Sequence, residues 1–320
     1  MKFLSSFLLF LCSPVFALQR TKFQHWFPQY NHHWVKAAQG PCQQQILAYV
    51  QNNRTQCHSP CACAADCILQ NITGTIQSNF ASAQVLLGLI PVTFGLIGPT
   101  ITEIAVLSTH SPLISILLAI GSPAISVLKP FSKMNVLEPL SAPQSVIFHL
   151  GARRIATNSA LVRVLIEGLI FAVAFMAIGL NIRTSIYVDM RTISGWRCAT
   201  LYLPLVWSTL AVFVHGCGML AMRARLGKLF QIGFGNILRS QSFWLIETSK
   251  DCVVSEALFW LSSLFSIGHL TFGILVLSSL MFISALEALQ MFSLYAVSAA
   301  LCKLVLLLKL SSIRLELDAK

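Results

Sequence analysis

Charge is what this chain has least of. Only 10% of its 320 residues are Asp, Glu, Lys or Arg and 56% are hydrophobic, against roughly a quarter charged in an ordinary soluble domain. Such a chain cannot cover a globule with polar surface. Acid is scarcer than base, 11 residues against 22, and the aspartates Asp66, Asp189, Asp251 and Asp318 all fall in polar or interfacial stretches. There is no HExxH, GxSxG, Walker or GxGxxG string and no pair of aspartates inside an apolar block. That removes the motif-bearing enzyme classes and leaves a non-catalytic reading. No internal repeat is present, so the paired, symmetric interruptions of an inverted-repeat transporter are missing. No cofactor is implied.

What the chain does have is long apolar blocks, at about 81–107, 112–128, 161–181, 199–222, 257–280 and 286–310. A helix needs roughly 20 residues to cross the hydrocarbon. Five blocks qualify and 112–128 is marginal. The expected fold is therefore all-α, a polytopic transmembrane bundle of five to six spans. If 112–128 dips in and returns, the positive-inside rule is obeyed by twelve basic residues to three; if it crosses, the same ratio stands against the rule. Five crossings with a re-entrant segment are expected, and six are the alternative, since a leucine-rich stretch of this length spans a thin bilayer.

The first 17 residues read as a cleaved secretory signal, with an apolar run too short to span and Val15 and Ala17 before the cut. The expected organisation is signal 1–17, a Cys-rich lumenal or extracellular region 18–80, a bundle 81–310 and a tail 311–320. Both sequons, at Asn53 and Asn71, fall in the region after the signal, which is expected to be glycosylated. In that oxidising compartment Cys42, Cys57, Cys61, Cys63 and Cys67 read as disulfide partners rather than metal ligands. Zinc or cuprous copper is the alternative, carried by His58 and the closely spaced thiols, and no metal site is assigned. Five is an odd number. In the five-crossing arrangement Cys198 faces the lumen and completes the set, and Cys252 faces the cytoplasm. The aromatic segment with Trp26, Phe27, Tyr30 and Trp34 reads as lying in the outer membrane interface or binding a ligand.

Ionisable residues within apolar blocks are expensive, so Glu103, Arg163, Glu167, His215, His269, Glu287 and Lys303 are the functional candidates. Arg163 and Glu167 stand four apart and are expected to pair on one helical face. Glu103 and Glu287 lie near block ends, within reach of headgroup water. His215 and His269 read as polar contacts between helices. Gly88, Pro91, Gly95, Gly98 and Pro99 punctuate the first apolar block, by close packing or as a broken helix lining a site. The net charge of +11 does not call for nucleic acid; basic loops beside spans contact anionic lipid, most densely at Arg223, Arg225 and Lys228.

The block around Ala81-Ser82-Ala83, Leu86-Leu87-Gly88-Leu89, Gly98-Pro99, Glu103-Ile104 and Gly121-Ser122-Pro123-Ala124 resembles a stretch of multi-pass membrane proteins of filamentous fungi. WRCATLYLPLVW, with His215 beyond it, is a second likeness, and the two cover about a quarter of the chain. The chain departs from the pattern at Thr109-His110-Ser111, where a basic residue before the proline is usual. The resemblance implies a membrane protein of the fungal secretory pathway or plasma membrane with no assigned chemistry. Two functions are expected to compete. One is a non-catalytic surface protein that senses or binds through its stapled ectodomain. The other is a transporter or channel with Glu167, His215 and His269 in a polar path.

Overall fold

The computed structural model describes residues 22–55, 57–126, 139, 159–198, 200–225 and 252–318. The signal sequence and Lys228 lie outside them. Three short helices, α1 (Asn31–Gln39), α2 (Gln43–Gln51) and α3 (Pro60–Gln70), build a cap. Below it stand α4 (Gly74–Ile97), α5 (Ile101–His110), α6 (Pro112–Gly121), α7 (Ala160–Arg191), α8 (Leu203–Arg225), α9 (Val253–Ser278) and α10 (Ala285–Asp318). Among the described residues five helices, α4, α7, α8, α9 and α10, are long and apolar enough to cross a membrane. The chain is a polytopic α-helical membrane protein with a disulfide-linked N-terminal cap.

Two short strands fix which helix ends lie together. β1 (Ile193–Ser194) follows α7 and pairs antiparallel with β2 (Leu280–Met281), between α9 and α10. Cys61 in the cap bonds to Cys198 in the α7–α8 loop. The start of α4, the end of α7, the start of α8, the end of α9 and the start of α10 thus share the capped end. With α7, α8, α9 and α10 each running from one end to the other, Cys252, the N-cap of α9, falls at the remote end.

The first apolar block is not one helix. It breaks at Gly98-Pro99, where proline removes a donor and disfavours helix at the residue before it. α4 begins at Gly74, inside the region read as cap, and its Leu87, Ile90 and Phe94 pack with Trp207, Val276, Ala288 and Tyr295 in the capped half. α5 and α6, joined at Ser111, fill the remote half, where Ile104, Leu107, Ile114 and Leu118 meet Ile170, Ala221, Leu306 and Leu310. α4 and α5 therefore share a crossing, and α6 returns only halfway. Ten residues, ~15 Å of helix, are too few for the sixth span that 112–128 offered as the alternative. The two non-helical stretches cross inside the bundle: Ser126 donates to the Pro99 carbonyl at 3.0 Å, and a Cβ on Gly98 would stand 2.8 Å from the Ala124 carbonyl carbon. At the other end of the chain, α10 continues through the residues read as a tail.

The cap is bolted down rather than tethered. Cys42–Cys67 and Cys57–Cys63 close it internally. Phe282, from the α9–α10 loop, is fully buried in the cap core with its ring 5.3 Å from Trp26, 5.2 Å from Trp34 and stacked on Phe80 at 6.5 Å. It holds φ 68°, a left-handed conformation unusual for an aromatic residue. Trp26, Phe27 and Trp34 are therefore core, which corrects the reading of this segment as a membrane-interface belt. Bulky rings satisfy each other here because a cap of this size has few aliphatic residues to bury.

Candidate functional site

α7 and α10 pack along a polar seam. Only 17% of the apolar window of α7 is buried, and its buried residues Ile170, Ala174, Ala177, Asn181, Ser185 and Val188 recur at three- and four-residue steps, one stripe on an otherwise exposed helix. Tyr295, Ser298, Cys302 and Lys309 form the facing line on α10. From the capped end, the Lys22 ammonium lies 3.2 Å from the Asp189 carboxylate and donates to the Asp189 and Thr192 carbonyls. Burial pushes this lysine below the usual range, and Asp189 opposes the shift. Next, the Ser185 hydroxyl bonds Tyr295 at 2.9 Å and Ser208 at 3.1 Å. Asn181 donates to the Ile120 carbonyl at 3.1 Å, and Ser298 lies 2.6 Å from the Gly121 carbonyl and 2.9 Å from that of Ala177. Below these, Lys303 donates to both Glu103 oxygens at 2.9 and 2.8 Å, and Lys309 to both Glu167 oxygens at 2.5 and 2.6 Å.

The expected Arg163–Glu167 pair does not form. Arg163 is exposed near the start of α7, and Glu167 takes Lys309 instead. Base-first is the weaker i,i+4 order, and α10 brings a lysine directly alongside.

Glu103 and Glu287 are held by the starts of their own helices. Each is the third helical residue of a capping box. Thr100 Oγ1 accepts from the Glu103 N–H at 3.1 Å while Glu103 accepts from the Thr100 N–H at 2.7 Å. Ser284 and Glu287 make the same exchange at 3.2 and 3.0 Å, and Glu287 also accepts from the Gln29 N–H at 2.7 Å, joining cap to bundle. The strings Thr100-x-x-Glu103 and Ser284-x-x-Glu287 carried this signal in the sequence. In lipid a capped helix start matters more, because no water satisfies the first-turn amides.

A second polar feature joins α8 to α9. Ser255 donates to the Ala221 carbonyl at 2.8 Å, Ser262 to Val214 at 2.6 Å, and the His269 Nε2 to Trp207 at 3.1 Å. Each step is seven residues on both helices, an antiparallel ladder of side chain to carbonyl. The Trp207 ring lies over His269 and edge-on to Tyr295, 5.7 Å from each, so ladder and seam meet there. A Cβ on Gly273 would come within 2.2 Å of the Trp207 Nε1, so only glycine lets that ring in. His215 is fully buried, and neither ring nitrogen has a partner among the described residues.

The candidates thus divide. Glu103, Glu167 and Lys303 join the seam, His269 the ladder, Glu287 the cap junction, His215 has no hydrogen-bond partner among the described residues and Arg163 is exposed. In the cap, Cys61 and Cys63 go to different partners, and His58 is exposed. Among the described residues no group of three or more His, Cys, Asp or Glu side chains is disposed to hold a metal. Asn53 and Asn71 are both exposed; the Thr55 hydroxyl donates to Asn53 Oδ1 at 2.7 Å, while the Asn71 amide donates to the Cys67 carbonyl at 2.9 Å.

The fold and the seam together define an integral membrane protein that buries four charged residues, Lys22, Asp189, Glu287 and Lys309, among the described residues. No family model matches the chain, and neither a curated protein nor a solved structure does.

Proposed function

We propose that this protein carries a small ion or polar solute across a membrane of the secretory pathway or cell surface, with the α7–α10 seam as its path. The observation that supports it is the seam itself: polar groups follow one another from Lys22–Asp189 at the capped end to Glu167–Lys309 at the remote end. The start of α5 and the end of α6, two broken helix ends, reach the seam midway. Polar groups are costly in lipid, and discontinuous helices meeting inside a bundle are a common way to expose backbone to a transported solute. The path differs from the one expected from sequence, since Glu167 lies on it and the two histidines lie beside it. On this reading the chain is non-catalytic, the basic residues at the remote end face the cytoplasm and its anionic lipid, and the glycosylated cap is lumenal or extracellular.

A sensing role for the cap has one observation in its favour. Cys198 and Phe282 couple it to both loops at that end, so a ligand that moved the cap would move α7 and α10. The two readings separate by flux. Full-length protein reconstituted in vesicles should pass protons, sodium or potassium above protein-free vesicles, and Glu103→Gln with Lys303→Met should lower that flux. Equal leak in both kinds of vesicle for all three ions would sink ion transport and leave the cap as the working part.

A further inference from the structure

We infer that the end of α6 holds a monovalent cation, bound by the Ile120 and Gly121 carbonyls, the Asn181 side-chain oxygen and Ser298. The argument is a count of protons against lone pairs. Ser298 has one hydroxyl proton and faces two carbonyl oxygens, at 2.6 Å from Gly121 and 2.9 Å from Ala177, so one close oxygen pair lacks a hydrogen between them. Asn181, fully buried, spends its amide on the Ile120 carbonyl at 3.1 Å and leaves its Oδ1 with no partner among the described residues. Reversing the amide would set that oxygen against Ile120's and make matters worse. The cluster is short of a positive charge or a donor at two places, the Ser298 oxygen pair and the Asn181 oxygen. It also sits at the negative end of α6, whose last carbonyls have no amides beyond Ser122 to bond within the helix.

The chemistry selects the occupant. All ligands are oxygens, which suits a hard cation, and none is a carboxylate, which fits one positive charge rather than two. Glu103, an acid of the same seam, is already neutralised by Lys303. A helix C-terminus and unwound backbone supplying carbonyls within a bundle is how discontinuous helices hold coupling ions. Binding stands on the oxygen cluster alone; that the cation is carried rests on the transport reading.

The test uses the purified full chain in detergent. Its thermal midpoint is measured in lithium, sodium, potassium and N-methylglucamine chloride at equal ionic strength, with titration calorimetry of the metal salts alongside. One alkali cation should raise the midpoint by a few degrees and saturate. Asn181→Ala and Ser298→Ala should each raise the half-saturating concentration about tenfold or more, the equivalent of roughly 1.4 kcal/mol. Identical midpoints in all four salts with no heat of binding would overturn the inference and leave a water at Asn181. Saturable binding that both variants retain would overturn the assignment to this site. Should neither variant fold, the calorimetry of the parent still decides whether the cation binds. Binding without flux removes transport only, and flux without saturable binding removes this inference only.

Discussion

The cap and the bundle solve opposite problems. The cap stands outside the long apolar helices and has a small core, so it is held by crosslinks and rings: Cys42–Cys67, Cys57–Cys63, Cys61–Cys198 and the cluster around Phe282. The bundle has apolar residues to spare and turns many of them outward, among them Leu161, Val164, Leu169, Phe175 and Trp260. Lipid is as apolar as leucine, so burying such residues between helices gains little. What specifies helix partners is instead the polar inventory, the ladder between α8 and α9 and the seam between α7 and α10. Single contacts in the cap should therefore be expensive to lose, and single polar contacts in the bundle cheap.

The largest effect is expected at Phe282. Truncation to alanine empties a fully enclosed site between Trp26 and Trp34, and large-to-small changes of this kind cost about 3–5 kcal/mol. Relief of the left-handed backbone does not offset this, since alanine keeps a Cβ. Thermal unfolding in detergent should fall sharply, and limited proteolysis should cut the cap first. A loss below about 1 kcal/mol would mean the cap is anchored by its disulfide alone.

Cutting that disulfide comes next. Cys61→Ser with Cys198→Ser frees a link across 137 residues and should cost about 2–4 kcal/mol. The same pair tests orientation. A thiol reagent that cannot cross membranes should label Cys198 on intact cells only after reduction, and should not reach Cys252. Labelling of Cys252 from outside would place the remote end in the lumen and reverse the proposed sidedness.

Much of this contrast was legible in the sequence, and the failures have physical causes. The long apolar runs and the odd cysteine count of residues 42–67 suffice for the class and for looking to Cys198, because hydrophobic length and compartment chemistry are local properties. The two capping boxes are equally local, with both strings in plain view, but an acid in an apolar block draws attention to its charge before its spacing. The ladder is readable as Ser255, Ser262 and His269 at intervals of seven. The seam is not. Nothing near Glu167 announces Lys309, 142 residues away, and the choice between Arg163 and Lys309 is made only when α7 and α10 dock. Phe282 is hidden for the same reason: its partners lie more than 200 residues upstream.

The seam should respond in between. Glu103 and Lys303 are partly exposed, at 16% and 27%, so breaking the pair costs less than the figure for a fully buried one. Glu103→Gln should lose about 1–3 kcal/mol, since it strands the ammonium and weakens the cap of α5. Adding Lys303→Met should recover part of that loss. A double variant no better than the single would show that the capping role, and not the ion pair, is what Glu103 supplies.

The smallest effect, and the sharpest check on the contrast, is expected in the ladder. Ser262→Ala removes one hydroxyl from a fully buried contact with the Val214 carbonyl. That carbonyl belongs to the interior of α8 and so keeps its helical amide, and nothing is left without a partner. Measured side-chain hydrogen bonds between membrane helices average about 0.6 kcal/mol, and this one should fall there. Ser255→Ala stands seven residues away on α9, a separation of ~10 Å, with its own acceptor at Ala221. Contacts that far apart with no shared partner should add. The double variant should therefore lose about 1.2 kcal/mol by unfolding in mixed micelles, less than Phe282→Ala alone. A loss well above that sum would mean that the rungs act together and that the ladder, no less than the disulfides of the cap, locks its helices as a unit.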